Sequence, residues 1–118
     1  MRSEELLEVV KTALDDLKGQ DIQVLDVREM TAITDYMVIV SGTSDRHVKS
    51  LADLAVERAK EAGAKSGGIE GGSGSGWVLA DLFDVVVHVM LPSVRDFYAL
   101  ERLWEPGGHG RAAREREE

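Results

Sequence analysis

Residues 33–53 read ITDYMVIVSGTSDRHVKSLAD. From Tyr36 to Val40 the run is almost continuously apolar and rich in β-branched side chains, the pattern of a strand covered on both faces. These residues are predicted to form the central strand of the fold. Ser41, Gly42, Thr43 and Ser44 then turn the chain, and Thr43 or Ser44 can accept from the orphan amides of a following helix. That helix is predicted over 45–61, because Val48, Leu51, Ala52, Ala55, Ala59 and Ala62 recur at intervals of three and four and make one apolar stripe. A strand, a tight polar turn and an amphipathic helix form half of an α/β unit.

The flanking sequence extends this unit in both directions. Residues 3–18 are predicted to form a first helix, with Ser3 as its cap and Glu4 and Glu5 at its positive end. Leu6, Val10, Ala13, Leu14 and Leu17 supply its buried stripe, and Lys18 and Gly19 mark its exit. Residues 22–27 read as a first strand, and 28–35 as a loop into the central one. Downstream, 64–70 is a weak strand interrupted by Gly67 and Gly68. The run GGSGSG at 71–76 reads as a flexible connector. Residues 77–82 and 85–90 are two strands joined through Phe83 and Asp84 as an antiparallel hairpin. Pro92 ends the second of them, and Ser93 and Asp96 have the spacing of a capping box. Val94, Phe97, Leu100 and Trp104 then give a third helix its core stripe. One domain over 1–105 and a charged, disordered tail over 106–118 are expected. The order of elements predicts an α/β fold of the mixed-sheet (α+β) kind, with about five strands and three helices packed on the sheet.

A chain of 118 residues can bury a core without help from metal or disulfides. It has no cysteine, which excludes a disulfide scaffold, a thiolate metal site and a cysteine nucleophile, and agrees with a reducing compartment. No apolar run approaches the roughly 20 residues of a membrane span, and the start MRSEELLEVV is acidic, unlike a secretory leader. A soluble, cytoplasmic protein is expected. The net charge is -8, from 22 acidic and 14 basic residues. Proteins that grip a phosphate backbone do so with clustered Lys and Arg. No direct nucleic-acid site is therefore predicted, and a basic protein partner is favoured.

The candidate enzyme chemistry gathers around Asp35, Ser41, Thr43, Ser44, Arg46 and His47. A glycine-containing turn that feeds a helix presents amides to an anion, and Arg46 would add a bidentate clamp. Gly42, Thr43, Ser44 and Arg46 are thus a candidate anion site, which a nucleotide-binding or nucleotidyl-transfer enzyme would use. Such an enzyme also needs closely placed carboxylates for magnesium, and the chain contains no Asp-x-Asp. The plainer alternative has Thr43 and Ser44 capping the helix and Arg46 and His47 solvated or interfacial. His47, His88 and His109 have no ligand spacing, and His88 inside a strand reads as a satisfied structural imidazole. Glu70 stands alone, and Asp81 and Asp84 read as hairpin residues. No nucleophile has an oriented base, so no catalytic residue, metal or cofactor is predicted.

The large amphipathic side chains point to a different class of function. Strand alternation puts Trp77, Leu79 and Asp81 on one face and Val78, Ala80 and Leu82 on the other, so either Trp77 or Leu82 turns away from the core. Tyr98 follows Phe97 by about 100° around the third helix, at the edge of its stripe. Such side chains are favoured interface anchors, although all three can instead close the core.

The segments DIQVLDV, ITDYMVIVSGTSDRHVKSLAD, IEG, WVLADLFDVVVHVM and VRDFYALERLW, in order over 6–104, resemble the ribosomal silencing factor family, the bacterial relatives of iojap. ITDY, GTS-x-RHV and DVVVHV are its specific motifs. The resemblance implies a nucleotidyltransferase-like fold without demonstrated transferase activity, and a homodimer when free. It implies binding to the large ribosomal subunit through its protein fourteen, which blocks joining of the small subunit and lowers translation when nutrients are scarce. It places the family's partner-binding residues on Trp77, Leu82 and Tyr98. Contact by both Trp77 and Leu82 would require the hairpin to twist, bulge or present its edge. The chain departs from the pattern at Ser66 and Gly67, which replace the usual Pro-Leu, and at Phe83, where relatives often carry glycine.

Overall fold

In the computed structural model, which describes residues 1–72 and 74–99, the central apolar run becomes β2 (Tyr36–Ser41), buried at all six positions. Its neighbours are β1 (Gln20–Asp26), antiparallel, and β5 (Val85–Met90), parallel. A parallel pair needs a crossover. The helix that begins it is α2 (Asp45–Glu61), with the bounds its periodicity predicts. Beyond β5 lie β4 (Trp77–Asp81) and β3 (Gly68–Gly71), both antiparallel, in the order β1-β2-β5-β4-β3. With α1 (Ser3–Asp16) and α3 (Pro92–Tyr98), the described residues form a five-stranded mixed sheet with three helices, an α+β fold.

The sheet is packed on both faces, which is why β2 shows no alternation. On one face, α1 and α2 lay Leu6, Val10, Leu14, Val48, Leu51 and Ala55 over Val38, Val40, Val78, Ala80, Leu82, Val87 and Val89. Each large apolar side chain taken from water is worth about 1.5–3 kcal/mol before the entropy of ordering. On the other face Leu25, Val27, Met37, Ile39 and Met90 form a second cluster, against which Trp77 and Val94 pack.

Several local expectations are corrected. Ser3 does not cap α1; Arg2 holds that position without a side-chain bond, and Glu4 and Glu5 alone complement the first turn. The helix stops at Asp16 because Lys18 adopts a left-handed φ of 61° and the Gly19 amide returns to Leu14 O. At the two ends of the 71–76 run, Gly71 belongs to β3 and pairs with Val78, and the Trp77 amide donates to Ser75 Oγ. No capping box forms at α3, whose N-cap is Leu91 and whose first turn starts on Pro92, with φ preset by its ring. Phe97 is 73% exposed, and the side chain that α3 buries is Arg95. Leu100, Trp104, His109 and the 106–118 tail lie outside the described residues.

The β4–β5 link is as short as predicted, and strained. The Leu82 amide donates to Val85 O and the Asp84 amide to Leu82 O. Phe83 is thus the centre of a three-residue turn, and its φ is 66°.

Candidate functional site

The alternation along β4 resolves inward for Val78, Ala80 and Leu82, which join the helix-covered core, and this turns Trp77 to the opposite face. Trp77 opens β4 across from Met90, while Leu79 faces His88. The indole is therefore a diagonal neighbour of His88, a separation large side chains can bridge. It does so: Trp77 Nε1 donates to His88 Nδ1 at 3.1 Å, with the ring centroids 5.8 Å apart. His88 is 7% exposed. Burial pushes its pKa down to about 4, since the charged imidazolium loses hydration there.

Gly76 brings the second element of the site into place. Its φ is 70°, and a Cβ there would lie 2.9 Å from Val94 Cγ2. Only glycine therefore lets α3 settle this close to the start of β4. The Leu91 amide fastens the approach by donating to Gly76 O. Helix α3 then carries Tyr98 to a ring-centroid distance of 4.8 Å from Trp77, and Phe97 lies 5.0 Å from Tyr98. Such aromatic pairs add about 0.5–1.5 kcal/mol beyond their buried area. Tyr98 is 54% exposed and Trp77 half-buried, so an ordered row of rings reaches the surface.

The structure thus brings Trp77 and Tyr98 together and sets Leu82 apart. Leu82 is 2% exposed and lies beneath the helices. It stands five positions beyond Trp77, and at about 3.3 Å per residue this places it roughly 16 Å further along the strand. Its buried side chain has no surface for direct contact; the large apolar side chain exposed at that end of the hairpin is Phe83. Two members of the aromatic row, His88 and Phe97, were not read as site residues. His88 was legible in principle from the hairpin register, which sets it diagonal to Trp77. Phe97 was hidden by its helical spacing from Val94, which suggested a core role.

In the 42–47 turn, Thr43, Ser44 and His47 hydrogen-bond within the chain. Ser44 Oγ accepts from the His47 amide at 3.1 Å and caps α2, as the plainer reading expects. The Thr43 amide donates to His47 Nδ1 at 2.9 Å, and His47 Nε2 donates to Leu17 O at 2.7 Å. The imidazole therefore ties the start of α2 to the end of α1. A Cβ on Gly42 would stand 3.0 Å from the Val48 amide nitrogen, so this glycine serves the close start of the helix. Ser41 Oγ accepts from buried Arg95 Nη1 at 3.0 Å, and Arg46 is exposed. Asp35 does not join the cluster: it precedes β2 and the turn follows it, so the strand's length separates them, and its amide donates to Asp84 O. Glu70 lies on β3, beside Leu79, with no carboxylate paired to it in the register. Among the described residues, no three His, Cys, Asp or Glu side chains converge to hold a metal ion, and no helix is long and apolar enough to cross a membrane.

Known proteins resemble this chain over most of its length. The family model described as ribosomal silencing factor during starvation matches residues 1–118. A ribosomal silencing factor RsfS of Chromobacterium violaceum is 45% identical over 104 residues, covering 88% of this chain and 85% of that protein. The RsfS of Haemophilus influenzae is 42% identical over 99 residues, covering 84% of this chain and 97% of that protein. An X-ray structure of a Chromobacterium violaceum protein superposes with a TM-score of 0.86 at 45% identity, over 92% of this chain and 89% of that one. The relatives carry names of regulatory factors rather than enzymes. By its sequence, its sheet and the extent of both matches, the chain belongs to the ribosomal silencing factor family.

Proposed function

We propose that this chain is a ribosomal silencing factor that acts by steric exclusion. It docks on the large ribosomal subunit, chiefly on its protein fourteen, and occupies space the small subunit needs, so that translation falls under nutrient limitation. It works in the cytoplasm, forms a homodimer when free, and uses no cofactor and no direct nucleic-acid site. The observation that carries this reading, beside family membership, is the Trp77–Tyr98 pair, with ring centroids 4.8 Å apart at the surface of a chain with net charge -8. Aromatic side chains already held in place lose little entropy on binding and make strong anchors. The negative charge steers the chain toward a basic ribosomal protein. Leu82 contributes from the core side, by fixing the link that carries Phe83.

The test is sedimentation. Purified large subunits are expected to carry the chain down a gradient, and small subunits added afterwards to stay unjoined. Trp77→Ala and Tyr98→Ala are expected to weaken cosedimentation by about tenfold or more while the circular dichroism of the fold is kept, the range of interface anchors. Subunits that pair equally well with the chain present would rule the proposal out.

A further inference from the structure

We infer that His88 is a positioning residue for this contact surface: its Nδ1 fixes the indole of Trp77 in the orientation on which Tyr98 stacks. The inference rests on the contact surface proposed above. A tryptophan on a half-buried strand face can rotate about two side-chain bonds, and the single polar atom of its ring selects among the settings if one acceptor is held rigidly in reach. His88 is such an acceptor. It sits in β5 between β2 and β4, paired with Ile39 and Leu79, so its backbone is bonded on both sides. Its ring is buried and lies within hydrogen-bond reach, 3.1 Å from the indole nitrogen. A donor from Trp77 requires Nδ1 to carry no proton, which leaves the ring proton on Nε2. An imidazolium, with protons on both nitrogens, would turn a donor toward a donor; burial disfavours that form.

The consequence propagates outward. Tyr98 rests on Trp77 and Phe97 on Tyr98, so the outer rings take their setting from the inner pair. His88 touches no partner in this scheme. It preorganises the groups that do, and preorganisation shows as affinity.

The experiment uses the whole chain, purified large subunits and three variants. His88→Leu removes the acceptor, His88→Asn restores a side-chain oxygen near the place of Nδ1, and Trp77→Phe removes the donor. In wild type, the indole proton of Trp77, assigned by its loss in Trp77→Phe, is expected to appear as one sharp, slowly exchanging nitrogen-correlated resonance. His88→Leu is expected to shift it and speed its exchange, and to weaken large-subunit binding about tenfold, the scale of one preorganising hydrogen bond. His88→Asn is expected to recover most of both. In a Trp77→Phe background, His88→Leu is expected to add nothing. Wild-type affinity in His88→Leu overturns the role of His88 and leaves the contact surface standing. A wild-type chain that ignores large subunits overturns the contact surface itself, and this role with it. Should His88→Leu fail to fold, Trp77→Phe decides: full affinity in that variant overturns the inference.

Discussion

At the residue scale, the buried imidazole of His88 couples the fold to pH. Burial lowers its pKa from 6.5 to about 4. Between those values the unfolded chain takes up a proton that the folded chain refuses, so stability is full above about pH 6.5 and is lost as pH falls toward 4. The loss is expected to reach about 2 kcal/mol by pH 5, read as the urea midpoint at pH 7, 6 and 5. His88→Asn, which does not titrate, is expected to flatten that slope; an equal slope in the variant would move its origin to other groups. Phe83 makes the second case. Its φ of 66° puts a side chain in the left-handed region. That conformation costs about 1–2 kcal/mol, and glycine there gives back part of the gain as chain entropy. Phe83→Gly is therefore expected to raise stability by about 0.5–1 kcal/mol, measured as the shift of the thermal midpoint. The left-handed turn at Phe83 was not legible in the sequence, because two strands must first be paired before the two-residue link is forced into it.

At the element scale, what could be read depended on whether an element is shaped by its own periodicity or by its neighbours. The bounds of α2 and β5 follow from local pattern: a capping serine and an apolar stripe in one, a β-branched run closed by Pro92 in the other. The ends of α1 and α3 do not. Helix α1 stops two residues early through the left-handed Lys18 and the return of the Gly19 amide, and α3 buries Arg95 against Ser41 where spacing favoured Phe97. A second long-range contact, the bridge from His47 to Leu17 O across 30 residues, joins α2 to the end of α1. Sequence spacing could offer His47 only as a member of the candidate enzyme cluster or as a solvated or interfacial side chain, since nothing local shows which carbonyl it meets. His47→Ala leaves the Thr43 amide and Leu17 O without this partner. The loss is expected to cost about 1–3 kcal/mol. Amide exchange should rise most in the last turn of α1 and the first turn of α2. Exchange that rises evenly over the sheet would mean that the bridge is not what couples the two helices.

At the scale of the whole molecule, the charge and the aromatic row divide the work of binding. The charge acts at a distance and sets how often partners meet; the rings act in contact and set how long they stay. Half of the row was legible, since strand alternation and helical angle brought Trp77 and Tyr98 forward as candidate anchors. Leu82 fell to the core because the sheet gives that face to α1 and α2. The division has a kinetic signature, because the net charge of -8 can be screened while the rings cannot. Raising salt from about 0.05 to about 0.5 M shortens the screening length from roughly 14 Å to roughly 4 Å and is expected to slow association with large subunits by about tenfold or more. Dissociation is expected to change little over the same range. Tyr98→Ala is expected to do the opposite, leaving association near wild type and speeding release about tenfold, because its ring leaves solvent only once the surfaces have closed. Surface-tethered large subunits and a stopped-flow mixing series resolve the two rates separately. If salt instead acted mainly on release, charged pairs would have to lie buried at the centre of the contact, and the rings would be its rim.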